Sequence, residues 1–147
     1  MDTKKQIEDF ITPLMREKVT LQNEFEEFKK EQDKQIDEMF CEFLTVIDTF
    51  ERAEQNIQER GLVGDENAKK AINRLLNAKK KALFVLEKYN IKKIEFEDNH
   101  SKEELCEIVD TEPDPTKETG EIVSIEKQGY TRAGHLLRPA EVIIVKN

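Results

Sequence analysis

Tryptophan is missing from this 147-residue chain, and cysteine occurs only twice. Cys41 and Cys106 lie in different segments at no metal-like spacing. That excludes a zinc site, which needs three or four closely spaced ligands. They read as structural thiols of a reducing compartment, so a cytoplasmic location is expected. No apolar run approaches the length that crosses a bilayer, and Met1-Asp2-Thr3-Lys4-Lys5 has no apolar signal core behind it. No membrane contact is therefore expected. Phosphate loops, dinucleotide fingerprints and metal-ligand motifs are absent. His100 and Cys106 stand six apart without an orienting third group or an oxyanion glycine, so they do not make a nucleophilic dyad. The chain is read as having no catalytic residues, metal, cofactor or small-molecule substrate. Basic charge is also short. With 24 Lys and Arg against 32 Asp and Glu the net charge is −8, which argues against a nucleic-acid partner. The run Lys79-Lys80-Lys81 reads as a solvated helix face.

What the chain does have is charge and helical period. Charged residues make up 38% of it, and the mean hydropathy is −0.73. That is too polar for one compact globule of this size and suits long solvated helices. Eight Phe and two Tyr supply real apolar content, unlike a disordered chain. Positions 7, 10, 14, 18, 21, 25, 28, 32, 36, 39, 43, 47 and 50 form a stripe in which only Lys18 and Gln32 are polar. Its mean step is about 3.58 residues, between the heptad and eleven-residue values, so paired helices would lie nearly straight. The helix starts either at a Thr3–Gln6 capping box or at Thr12, with Pro13 as its first residue, and runs to about Arg60. A helix this long and this polar cannot bury its stripe alone, and the economical partner is a second copy.

Phe40 to Phe50 carries two adjacent stripes, as a helix in a bundle would. Gly61-Leu62-Val63-Gly64 breaks the pattern, and Asp65 can cap a second, antiparallel helix from about Glu66 to Tyr89. Asn90 suits a left-handed cap, with Ile91 folding back on the last turn. Beyond it, Ile91–Phe96 and Glu121–Glu126 read as strands, Glu103–Val109 as a strand or a helical turn, and Thr111–Thr116 as a loop fixed by two prolines. Gly129-Tyr130 through Gly134 reads as a hairpin leading into Val142-Ile143-Ile144-Val145. The expected fold is α+β: a long N-terminal helix (1–60) pairing in a parallel dimer, a second helix (61–90) completing a four-helix bundle, and a small all-β domain (91–147). Phe28, Phe40, Phe43, Leu44, Ile47, Phe50, Ile72, Leu75, Leu76 and Leu83 are the expected dimer and bundle contacts.

Three ordered segments carry a resemblance. Leu44-Thr45-Val46-Ile47-Asp48-Thr49-Phe50-Glu51-Arg52-Ala53, then Val85-Leu86-Glu87-Lys88-Tyr89, then Lys127-Gln128-Gly129-Tyr130 through Leu137-Arg138-Pro139-Ala140 follow one another at compatible spacing. Together they resemble the GrpE family, the nucleotide exchange factors of DnaK-type chaperones, and mark the chain as a divergent member. The resemblance implies a homodimeric co-chaperone whose β domain docks on a chaperone ATPase domain and favours its open cleft. An adaptor dimer that binds without exchange is the alternative. By resemblance the docking residues would be Glu126, Gly129, Tyr130, Gly134, His135, Leu137, Arg138 and Pro139, with Asp48 to Arg52 as a secondary contact or as bundle structure. His135 stands where the family usually has an arginine that touches the chaperone, and Asn90 replaces a junction glycine.

Simpler roles stand beside these. Gly129 and Gly134 would provide positive φ, Tyr130 would pack with a satisfied hydroxyl, and Pro139 would mark an edge or bulge. Arg138 would pair either with an acidic neighbour inside the domain or with the partner. Asp48 and Arg52, four apart, would form an intrahelical ion pair.

Overall fold

The computed structural model of the chain describes residues 2–62 and 64–147. Its first helix, α1, covers Thr3–Arg60. Neither start expected from the sequence is used. Asp2 is the cap: its carboxylate accepts from Lys4 N at 3.1 Å and its carbonyl from Gln6 N at 3.2 Å. A carboxylate caps well and also meets the positive end of the helix dipole. Pro13 lies inside α1. It leaves the Asp9 carbonyl without its helical donor, but Asp9 is exposed, so water can satisfy it. The helix ends where Gly61 takes φ +58° and Leu62 N bonds back to Ile57 O at 3.2 Å. That is a six-to-one Schellman closure on glycine.

The chain divides into two compact units, one up to Met39 and one from Phe40 to Asn147. The first is helical from Thr3 onward, and its apolar stripe faces outward: Ile7, Phe10, Leu14, Leu21, Phe25 and Phe28 are each at least half exposed.

The second unit contains the C-terminal part of α1, a second helix α2 (Glu66–Lys88) and six strands. Asp65 caps α2 by accepting from Ala68 N at 2.8 Å. Asn90, at φ +59°, turns the chain out of it, and Ile91 is buried in a cluster with Leu86 of the last turn. The two helix segments run antiparallel. Glu51 and Glu54 meet Lys79, whereas Leu44 and Ile47 share a core with Leu86.

The strands are β1 (Ile91–Lys93), β2 (Cys106–Glu112), β3 (Ile122–Lys127), β4 (Tyr130–Arg132), β5 (His135–Arg138) and β6 (Ala140–Val145). They form two three-stranded sheets, ordered β1-β4-β5 and β2-β6-β3. In the second, β2 runs parallel to β6 and β3 antiparallel to it. The expected strand Ile91–Phe96 leaves its ladder after Lys93, because Ile94 N bonds to Gly129 O at 2.9 Å instead. The expected loop at 111–116 starts later, since β2 stays paired through Glu112 until Pro113 withholds a donor. Glu103–Val109 resolves into a turn followed by β2.

Two cores result. One joins helices to the first sheet through Leu44, Ile47, Leu86, Ile91 and Tyr130. The other fills the second sheet with Cys106, Ile122, Ala140, Val142 and Ile144. The chain passes between the sheets three times, through residues 94–105 and by two short passages at Gln128-Gly129 and at Pro139. At the first of the short passages Gly129 has no positive φ. A Cβ there would meet Ala140 N at 2.5 Å and Ile94 Cδ1 at 2.8 Å, so glycine is required by close backbone approach.

Candidate partner-docking site

The β4–β5 hairpin turns on Ala133 and Gly134, with φ of +50° and +84°. Positive φ at both central residues is the primed turn that matches strand twist. This turn presents His135, the first residue of β5, at the surface beside exposed Leu136. Glu126 is exposed near the end of β3. Leu137 packs against the helix-side core, and Pro139 is half-buried between β5 and β6.

Tyr130 is 1% exposed and sits in that core. Its hydroxyl is buried and makes no hydrogen bond to another described residue, contrary to the satisfied hydroxyl expected from the sequence. Burial pushes its pKa up to about 12, helped by the Glu51 charge and opposed by the Arg138 guanidinium.

Arg138 is the organising group of the site. Its Nη1 and Nη2 donate to both carboxylate oxygens of Asp48, at 2.8 and 2.7 Å. Its Nε and Nη2 also donate to the Gln128 carbonyl, at 3.0 and 2.7 Å. The guanidinium carbon stands 5.5 Å from the Tyr130 ring centroid. The two charged side chains are only 10% and 14% exposed. Asp48 therefore pairs across the fold with Arg138 rather than along the helix with Arg52. A planar fork can hold a carboxylate bidentately and a carbonyl together, which an ammonium cannot.

Beside this clamp, Lys79 lies between Glu54 at 2.6 Å and Glu51 at 3.1 Å, and Lys93 reaches Glu51 at 3.4 Å. Burial works against the Lys79 ammonium, but the hydrogen bonds to Glu54 and Glu51 and their charges outweigh it, and its pKa is raised. Lys79 thus leaves the solvated face expected for the lysine run, while Lys80 and Lys81 remain exposed. The signal was present in the sequence: residues 72, 76, 79, 83 and 86 fall on one helix face. A cleft of about 630 Å³ opens here, lined in part by Asp48, Glu51, Arg52, Lys79, Glu126 and Glu141.

Of the expected dimer and bundle residues, Leu44 and Ile47 are fully buried within this chain, and Phe40 and Leu83 pack against them. Phe50, Ile72 and Leu76 are half-buried, while Phe28, Phe43 and Leu75 are exposed. Cys106 Sγ donates to Lys102 O at 2.9 Å, and His100 Nε2 lies 3.7 Å from Glu118. The two are not brought together as a dyad. Among the described residues no group of three or more His, Cys, Asp or Glu could hold a metal ion, and no helix is long and apolar enough to cross a membrane.

A model of the GrpE family matches residues 2–146. The chain belongs to the GrpE family. Curated GrpE proteins are similar to it at low identity. Protein GrpE of Methanosarcina barkeri (strain Fusaro) is 28% identical over 148 residues, covering 91% of this chain and 66% of that protein. Protein GrpE of Colwellia psychrerythraea (strain 34H) is 29% identical, over 71% of this chain and 48% of that protein. Protein GrpE of Porphyromonas gingivalis (strain ATCC 33277) is 32% identical, over 74% and 54% respectively. The chain thus spans about half to two thirds of the length of these GrpE relatives. Within this GrpE-family chain, the segments Leu44–Ala53 and Lys127–Ala140 meet in space, because Asp48 of the first pairs with Arg138 of the second. Gln128 and Lys79 were not singled out as site residues from the sequence. Gln128 contributes through its carbonyl, which every residue carries, so nothing in its side chain could have announced it.

Proposed function

We propose that the protein is a nucleotide exchange factor, a co-chaperone that docks on the ATPase domain of a DnaK-type chaperone and favours its open cleft. ADP would then leave faster. The observation that carries this reading is the family match over residues 2–146. It is supported by a two-sheet β region in which the β4–β5 turn exposes His135 and β3 exposes Glu126. In this reading the protein performs no covalent chemistry and takes no cofactor. It can shift the cleft only by as much as it prefers the open form.

The proposal includes a division of labour and a cytoplasmic setting. Residues 1–60 would pair two copies through the exposed stripe, 61–90 would complete the bundle, and 91–147 would dock. The docking face would comprise Glu126, Gly134 and His135, with Leu136 added. Gly129, Tyr130, Leu137, Arg138 and Pro139 would shape that face from beneath. Stopped-flow release of labelled ADP from the cognate chaperone tests the reading: acceleration that saturates with protein is expected, and none at saturation would remove it.

His135 favours a second reading, an adaptor that binds the chaperone without exchange. An imidazole cannot copy the always-charged, five-donor fork expected there from the resemblance. Tight binding with no acceleration in the wild type, and acceleration gained by His135→Arg, is the outcome expected of the adaptor. If exchange is retained, His135→Arg should only lower the half-saturating concentration.

A further inference from the structure

We propose that Asp48 and Arg138 are positioning residues: their clamp locks the two short sheet-to-sheet passages, at Gln128-Gly129 and at Pro139, onto helix α1, so that docking force on the hairpin is transmitted to the helix. This rests on the exchange-factor reading and deepens it. Arg138 ends β5, one residue before the passage at Pro139, and Gln128 opens the other passage. One guanidinium therefore holds its own passage, the Gln128 carbonyl and the Asp48 carboxylate together, using four N–H donors. The passages touch directly, since Gly129 sits so close to Ala140 N that no Cβ fits between them. Ala140 N itself bonds to Leu105 O, and Gly129 O accepts from Ile94 N, which tie the passages to both sheets. Asp48 lies one residue past fully buried Ile47, so the helix end of the clamp is fixed by core packing. With the clamp released, the β1-β4-β5 sheet keeps its ladders and its core contacts with the helices through Ile91 and Tyr130, but the two short passages lose their polar tie to α1. The hairpin would still find its partner, yet less of its push would reach the helix.

The test uses full-length Asp48→Asn and Arg138→Lys, which keep side-chain volume and break the two-pronged charge pair. Saturation curves of ADP release give a maximal rate and a half-saturating concentration. The maximal acceleration is expected to fall about tenfold, while the half-saturating concentration changes less than threefold. Asp48→Glu keeps the charge and should recover part of the maximal rate. Hydrogen exchange without any partner gives an independent reading. Amides of Gly129 and Ala140 should exchange at least tenfold faster in the variants, with Val142 and Ile144 unchanged. Unaltered maximal rates, or losses in both parameters that track the unfolded fraction, would overturn the proposal. Unaltered exchange at Gly129 and Ala140 would do the same. A wild type without activity sinks the exchange reading, whereas the exchange pattern judges the clamp separately.

Discussion

The Tyr130 phenol lies in the helix-side core beneath the Arg138 guanidinium, close enough to Glu51 and Asp48 to feel their charge. Burial raises its pKa from 10.0 to about 12. Between these two pH values the unfolded phenol sheds a proton that the folded one keeps, so unfolding becomes more favourable as pH rises through this window. Tyr130→Phe loses no protein hydrogen bond, because the hydroxyl makes none within the described residues. Urea unfolding should therefore find the variant close to wild type at pH 8. By pH 12 it should be more stable than wild type by up to about 2–3 kcal/mol. Equal pH dependence in the two proteins would refute the assignment. Arg138 and Gly129 show how far residue identity carried the reading. The sequence left Arg138 open between an internal and an external partner, since its donors suit both. Only Asp48, 90 residues away, decides it. Gly129 read as a turn glycine, but its reason is contact with Ala140, which no local rule could supply.

Elements whose boundaries depend on neighbours in sequence were legible at that level. The Asp65 cap, the Gly61 stop and the Asn90 turn all act within a few residues, where the chain's own geometry governs. The start of α1 was misplaced because both Thr3 and Thr12 carry plausible capping chemistry, and Asp2 outcompetes them as a carboxylate at the dipole's positive end. Strand ends were blurred for a different reason. Ile94 leaves its ladder for Gly129, and β2 continues to Glu112 because β6 lies alongside it. The hairpin turn supplies a prediction at this scale. Ala133 holds φ +50°, a region that costs a residue with a Cβ about 1 kcal/mol. Ala133→Asn, or Ala133→Gly, is expected to raise stability by about 0.5–1 kcal/mol, read as a shift in the thermal midpoint with an unchanged transition slope. A lower midpoint would mean that the turn is not of the primed type.

For the molecule as a whole, the outward stripe of the first unit sets the expectation. Ile7, Phe10, Leu14, Leu21, Phe25 and Phe28 line one face at 50–71% exposure, more apolar surface than a lone helix keeps in water. If two copies pair through it, Phe28→Asp should shift sedimentation toward the monomer, lower the melting midpoint and weaken its dependence on concentration. A monomeric wild type at micromolar concentration would end the pairing proposal. By itself the sequence determined two helices joined at Gly61, a small β domain after Asn90, and the family to which they belong. Those follow from period, caps and ordered motifs, which are local or additive along the chain. Tertiary structure alone decided that Leu44 and Ile47 face the chain's own core, that Lys79 meets Glu51 and Glu54, and that Arg138 closes on Asp48. Each depends on which surfaces meet once the chain has folded back on itself, and a bidentate pair between residues 48 and 138 has no signature until both are brought within 3 Å.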